Sequence, residues 1–442
     1  MEPDLDYLDG VDRECSSDPR LPCRFGELVA PRVAKIVRLP SHVVDRLVVF
    51  GSLREHEAMK AMVETPAVSE GSFLLQRDAV RVRTGTLFLS ACSDEPCGVE
   101  IFTRKLAAAL EASVPDGDYE LLPVSGRWRD VPSLLRRVAR GRCVVFSAPL
   151  VAWKRMLVMP LMLLAVAFVT RRRISVFLHE WSALHPLRRL LLLPFIALSD
   201  TVLVLSPFIR DQVASDRWIS RAARKCRLIP HPPTIRRPDS LKQTDVVREI
   251  EEAAADCDIV IGYFGAIYRG KAPTALLEIC DHLRLRGVRA LVVFIGSFTK
   301  SLDGYEGLFR ARMRELALDK QVIITGYIET EEELFALFER IGVFLFHFPE
   351  GLTARRSSVI ACLQSNRPVV VSAPQSRNEF RHHAGLTALI EHGALSFVSR
   401  SASADEIADR ILAVAERGAN ANPAIDIDAW WAATTAATRA VL

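Results

Sequence analysis

The feature that most restricts this chain is an alternation that sets in near Thr84 and continues almost to its end. Short apolar runs recur, each separated from the next by a segment with helical spacing. Thr86–Ser90 reads as a strand, and Val99–Leu110 places Phe102, Leu106 and Leu110 on one helical face. Tyr119–Leu122, the arginine-rich helix Val131–Arg140 and the strand Cys143–Ser147 follow. The apolar helix Met156–Val169 leads to strand Ile174–Leu178, and helix Leu187–Leu198 to strand Thr201–Leu205. Helix Pro207–Ala214 and the run Lys225–Ile229 end this half. The pattern predicts parallel βαβ units with right-handed crossovers.

A polar, charged stretch, Arg236–Ala255, is the best linker candidate. The alternation then resumes with strand Ile259–Phe264, helix Ala272–Arg286, strand Ala290–Ile295, helix Tyr305–Leu316 and strand Gln321–Thr325. Helix Glu331–Phe338, strand Val343–Phe348, helix Arg356–Gln364 and strand Pro368–Ser372 continue it. Strand Ala394–Val398, helix Ala404–Arg417 and a last helix Trp430–Val441 close the set. The expected fold class is therefore α/β: two doubly wound, Rossmann-like domains, with ligands beyond the strand C-termini in the cleft between them. Residues 1–83 read as an extension with one or two short helices around Val43–Val63, and the first domain as 84–235. The linker is taken as 236–257, the second domain as 258–425, and the final helical segment as 426–442.

Charge narrows the partners. The whole chain carries 57 Lys and Arg against 53 Asp and Glu, but between Val124 and Pro230 the counts are 19 and 5. No aromatic interleaving, zinc spacing or basic-helix pattern accompanies this excess, which argues against nucleic acid. A basic face beside apolar segments suits an anionic membrane surface. The run Met156–Thr170, flanked by Lys154-Arg155 and Arg171–Arg173, is shorter than the roughly 20 residues of a bilayer span. It reads as a buried helix or as one partly sunk in the headgroup region, and least as a true span, since the strand Ile174–Leu178 follows at once. Nine cysteines without regular spacing, the pair Cys92 and Cys97 included, suggest a reducing compartment rather than a disulfide framework. The acidic start Met1-Glu2-Pro3-Asp4 gives no secretion signal.

The densest chemistry lies between Thr325 and Ser372. A strand ends in Glu350-Gly351-Leu352-Thr353-Ala354-Arg355-Arg356-Ser357-Ser358. A carboxylate, a glycine turn and a helix start place backbone amides and two guanidinium forks where phosphate oxygens bind. The alternative is a helix cap with a solvated arginine pair. Asn366-Arg367-Pro368-Val369-Val370-Val371 follows. Together these segments resemble the retaining GT-B glycosyltransferases of bacterial polysaccharide and lipopolysaccharide assembly. That family's signature is Glu-Gly at a strand end, a second Glu eight positions after the first, and a Gly-x-Pro-Val-Val strand. Ser358 occupies the position of the second Glu, the ribose ligand of the family.

Tyr263–Ala272 resembles the family's Gly-Arg-x-x-x-x-Lys-Gly segment, with Lys271 on the diphosphate-binding lysine and Ala266 on the arginine. Arg355, Arg356 or Arg269 would then supply the missing cation. Gly98-Val99-Glu100 follows the first strand, where the family has a glycine-rich loop. His179, in Phe177-Leu178-His179-Glu180-Trp181, stands where family members face the donor sugar, and Tyr327 after Gly326 where they contact the base. Without the resemblance, His179 reads as a core histidine, Lys271 as a solvated helix-start lysine, and Tyr327 as a half-buried turn aromatic.

The resemblance implies a GT-B fold, with the last helix crossing back onto the first domain, and transfer of a sugar from a UDP- or GDP-sugar to a hydroxyl with retention. It assigns leaving-group stabilisation to Lys271, Arg355, Arg356 and the amides of Gly351–Thr353, sugar contacts to Glu350, and orientation to His179. Neither a metal nor another cofactor is expected. A lipid-linked or saccharide acceptor and a peripheral location on the cytoplasmic face of the membrane complete the expectation. A nucleotide-sugar 2-epimerase on the same scaffold, or a non-catalytic binding protein, are the rivals, and Ala266 and Ser358 favour the latter.

Overall fold

The computed structural model describes residues 85–91, 98–114, 119–124, 127–148, 158–299, 304–418 and 424–442. The expected extension, with its helices near Val43–Val63, and the pair Cys92 and Cys97 lie outside the described residues.

Two six-stranded, wholly parallel sheets dominate. In the first, β1 (Thr86–Ala91), β2 (Tyr119–Val124), β3 (Cys143–Ala148), β4 (Arg173–Leu178), β5 (Thr201–Val204) and β6 (Cys226–Leu228) lie in the order β2-β1-β3-β4-β5-β6. In the second, β7 (Ile259–Phe264), β8 (Ala290–Ile295), β9 (Val322–Ile324), β10 (Val343–Phe346), β11 (Val369–Ser372) and β12 (Leu395–Val398) lie in the order β12-β11-β10-β7-β8-β9. Both are doubly wound, and each reverses beside its first strand.

The inner strands are apolar on both faces because helices cover both. Leu87, Leu89, Val144, Phe146, Val176 and Leu178 pack on one side of the first sheet, Phe88, Val145, Phe177 and Leu203 on the other. Continuous apolar runs are the mark of a parallel sheet buried on both sides. The second sheet has one large core that includes Ile261, Val292, Phe294, Phe344 and Val370.

The helices in chain order are α1 (Gly98–Ser113), α2 (Val131–Arg140), α3 (Val158–Val169), α4 (Pro186–Leu198), α5 (Pro207–Ser215), α6 (Asp245–Ala254) and α7 (Thr274–Leu285). Then come α8 (Tyr305–Glu315), α9 (Glu331–Phe338), α10 (Ser357–Leu363), α11 (Ala384–Glu391), α12 (Ala404–Arg417) and α13 (Ile427–Val441). Two differ from expectation. The polar stretch read as linker contains α6, whose Val247 and Ile250 are fully buried in the second core. Helix α11 was not legible; its N-cap is His383, whose ring nitrogen accepts from the Leu386 amide.

Helix α13 packs on α1 of the first sheet. The Trp431 indole donates to the Pro233 carbonyl (3.2 Å) and the Thr434 hydroxyl to the Pro230 carbonyl (3.0 Å). The Arg173 guanidinium donates to the Leu442 carbonyl (2.6 Å), and Trp431 stacks on Phe102. The last helix thereby ties the second sheet's final crossover to the first sheet's core.

Helix α3 settles how its apolar run is used. Met159, Pro160, Leu163, Leu164 and Ala167 pack against the sheet, while Val158, Phe168 and Val169 are exposed. It is both a core helix and a source of outward apolar surface. No helix among the described residues is long and apolar enough to cross a membrane.

Candidate active site

The chemistry gathers at the C-terminal ends of β4, β7 and β10, where such sheets bind ligands. After β10 the chain turns at Gly351, whose φ is +75°. A Cβ there would lie 2.2 Å from the Ala373 carbonyl oxygen, so only glycine lets this loop press against the segment after β11. The loop then buries Leu352, Thr353 and Ala354 and delivers Arg355 and Arg356 to the cleft.

The two arginines make an ion-pair network across the cleft. Arg355 bonds Glu180, on the first domain just past β4, at 3.1 Å, and Glu350 on its own loop at 3.5 Å. Arg356 pairs with the same Glu350 oxygen, and its guanidinium lies 4.4 Å over the Phe348 ring. Glu350 is thus the counter-ion of the arginine pair as well as the expected sugar contact. The Nε atoms of both arginines and the Thr353 hydroxyl are buried without a hydrogen-bond partner.

Lys271 follows β7 on a short 3₁₀ turn and is buried. Its ammonium lies 5.7 Å from the Tyr263 ring centre and 5.5 Å from that of Tyr268, and no described carboxylate is within ion-pair distance. Burial pushes its pKa down to about 7; Arg356 and Arg355 add repulsion, and Glu180 opposes them. Gly265 borders it at φ +118°, and a Cβ there would stand 3.1 Å from Nζ and 3.8 Å from the Ser358 Cβ. Lys271 and Ser358 therefore flank Gly265, with Arg356 and Arg355 close enough to Lys271 to lower its pKa. Three cationic side chains face two carboxylates, a balance that suits an anionic ligand.

The first domain contributes a neutral wall. His179 continues β4, its amide donating to the Ala148 carbonyl (2.8 Å). Its ring stacks on Phe177 at 4.9 Å and meets Phe102 edge-on at 5.6 Å. Burial, reinforced by Arg355, lowers its pKa to about 3, so the imidazole is neutral. Its Nε2 is buried with no partner.

The structure thus brings Glu350, Arg355, Arg356, Lys271, Ser358, Thr353 and His179 together. It corrects three details. The Gly351 and Leu352 amides, expected to face a leaving group, donate instead to the Phe348 and Ser372 carbonyls at 2.9 and 3.0 Å. Helix α10 is short, and its first residue is Ser357 rather than Arg356. Arg269 does not replace the missing arginine at Ala266, because it is exposed and lies over Tyr305. Arg355 and Arg356 are the cations near Lys271. Gly326 turns with φ +79° after β9, and Tyr327 is 67% exposed, two strands along the sheet from β7. Gly98 opens α1, and a Cβ there would meet nothing within 4 Å.

Sequence reasoning missed Glu180, Glu379, His231, His382 and His383. Glu379 is buried, and its carboxylate accepts from the Ser206 hydroxyl and from the amides of Phe208 (3.2 Å) and Ala354 (2.9 Å). His231 packs on Phe102 at 5.0 Å, and its carbonyl accepts from the His383 ring (2.8 Å). The available signal was Arg377-Asn378-Glu379-Phe380-Arg381-His382-His383, a charged cluster at the C-terminal end of a buried strand.

No family model matches the chain, and no curated protein matches it in sequence. Solved structures do. HepE (Alr3699) of Anabaena, in complex with UDP and glucose, superposes with a TM-score of 0.52 at 12% identity, covering 81% of this chain and 94% of that one. The same protein in complex with UDP-glucose gives 0.51 at 13% identity, over 81% and 100%. Sucrose-phosphate synthase of Thermosynechococcus elongatus gives 0.52 at 16% identity, over 81% and 94%. At such identities the likeness establishes the fold, and the fold is GT-B.

Proposed function

We propose that the protein is a glycosyltransferase that moves a sugar from a UDP-sugar to an acceptor hydroxyl. The observation that carries this reading is the cluster of buried Lys271 and Arg356 with the largely buried Arg355, which lies close enough to His179 to lower its pKa, the His179 Nε2 being buried without a partner. The fold relatives add support: HepE was solved with UDP and with UDP-glucose. A GDP-sugar is the alternative donor.

Cleavage of the sugar–phosphate bond leaves a diphosphate, so the barrier falls when fixed cations face the departing oxygens. Lys271 and the arginine pair supply them, with the diphosphate displacing carboxylates from Arg355 and Arg356. Glu350, released from the arginines, accepts from sugar hydroxyls. His179, held neutral and fixed between two aromatic rings, donates or accepts one hydrogen bond to the sugar from the facing domain. Retention at the anomeric carbon rests on the Glu350-Gly351 and Asn366–Val370 signature.

A lipid-linked acceptor, in polysaccharide or lipopolysaccharide assembly at the cytoplasmic face of a membrane, is the favoured context. The outward faces of α3 and α4 support it. Val158, Phe168, Val169, Leu187 and Leu190 are each more than half exposed, with Arg171 and Arg188 exposed nearby. Apolar surface rimmed by arginines matches an anionic lipid interface. The test is sugar transfer from each common UDP- and GDP-sugar to membrane lipid extract, with anomeric configuration read by NMR. Turnover of one donor, lost in Lys271→Ala, supports the proposal; binding of nucleotide without turnover of any donor rejects it for the non-catalytic reading.

A further inference from the structure

The loop after β11 reaches across the domain boundary three times. Besides the Glu379 contacts already described, the His382 ring donates to the Leu205 carbonyl (3.1 Å), and the His383 ring to that of His231. Ser206 caps helix α5 of the first domain by accepting from the Phe208 amide in its first turn, whereas Ala354 immediately precedes the arginine pair of the second. One buried carboxylate therefore holds a helix N-terminus on one domain and the arginine-bearing loop on the other.

Burial of a carboxylate without donors is strongly unfavourable, and three donors here offset that cost. Two of the three come from the first domain, so separation of the domains would strip Glu379 of most of its partners. The helix dipole of α5 adds a favourable positive end beside the charge. The ion pair from Arg355 to Glu180 spans the same boundary, so the clasp and the cationic wall are set by the same approach of the domains.

We infer that Glu379 is a positioning residue, a clasp that couples closure of the two domains to placement of Arg355 and Arg356. The clasp stands on the hydrogen bonds alone; its effect on transfer rests on the glycosyltransferase reading. Closure registers at Ser206 and Phe208, and the same carboxylate passes it to the loop through Ala354.

Two variants separate the halves of the clasp. Ser206→Ala removes one first-domain donor, and with it the cap on the Phe208 amide, and leaves the Ala354 bond. Glu379→Gln keeps the shape but sets an amide donor against donors. Spin labels on exposed sites of each domain report their separation, and UDP titration and transfer kinetics report the site. Ser206→Ala is expected to broaden the distance distribution and lower kcat about tenfold, the size of a hydrogen bond to a charged group, with UDP affinity nearly unchanged. Glu379→Gln is expected to broaden it further and also weaken UDP binding. Ser206→Thr, which keeps the hydroxyl, is expected to restore both distance and kcat. Unchanged distances in folded Ser206→Ala and Glu379→Gln protein overturn the clasp, even if transfer is observed. Broadened distances uphold it even where no donor is turned over, which would instead count against the glycosyltransferase reading.

Discussion

The two walls of the cleft are built from opposite materials. The second domain offers charge: Lys271, Glu350, Arg355 and Arg356, all largely buried. The first offers an aromatic and histidine surface, with His179 and His231 both pushed down to a pKa of about 3 by burial and therefore neutral, and with the Glu180 carboxylate pairing across the gap. The contrast continues outside, where the first domain exposes Trp128, Phe168, Val169, Leu187, Leu190 and Trp218. On the proposed reading the charged wall holds an anionic leaving group and the neutral wall discriminates among sugars and acceptors, where geometry matters more than charge. The division of labour follows from what each wall can desolvate at acceptable cost.

Breaking the charged wall should have the largest effect. Replacing Lys271 or Arg356 by Ala is expected to lower transfer about 10²- to 10³-fold, the scale seen when a preorganised stabiliser of developing charge is removed. Steady-state kinetics with UDP release as readout checks this, and near-normal rates would remove these residues from the mechanism. On the neutral wall, His179→Ala is expected to cost about tenfold to a hundredfold in kcat with little change in donor KM. That split distinguishes a residue that orients the sugar from one that binds the nucleotide.

Protonation sharpens the comparison further. With its pKa near 7, Lys271 is charged below that pH and increasingly neutral above it. A diphosphate favours the ammonium, so binding raises this pKa and above about pH 7 must take up a proton, weakening as pH rises. Titration calorimetry near pH 8 in buffers of different ionisation enthalpy should show uptake, which shrinks near pH 6 and disappears in Lys271→Met. The neutral histidines predict no such linkage near pH 7, since their pKa values lie far below it. The smallest effect belongs to the outer surface. Phe168→Asp with Val169→Asp is expected to lower binding to anionic vesicles about tenfold while leaving transfer to a soluble acceptor unchanged.

Much of this fold was legible because local signals were strong. Helices α9 and α12 begin where Thr330 and Ser403 cap them, the latter with Glu406 in a capping box. The inner strands were legible because burial on both faces makes them apolar throughout. Helix α6 was not, since only two of its ten residues are buried and the rest read as linker. Within the site, Glu350 was legible in its Glu-Gly turn after a strand, whereas Lys271 and His179 were singled out only through the family resemblance, since local pattern alone reads them as a helix-start lysine and a core histidine. Glu379 was not, because its meaning comes from Ser206, 173 positions away, and no local pattern encodes that distance. The same limit hid Glu180, whose partner Arg355 lies 175 positions further on.

Sugar transfer is tested by UDP release from UDP-sugars in the presence of lipid extract, measured on the protein and on Lys271→Ala together. Release from one donor by the protein, coupled to a glycosylated product, and its near-complete loss in the variant are expected. Equal release by both, or no release from any UDP- or GDP-sugar by a protein that still binds UDP, would contradict it.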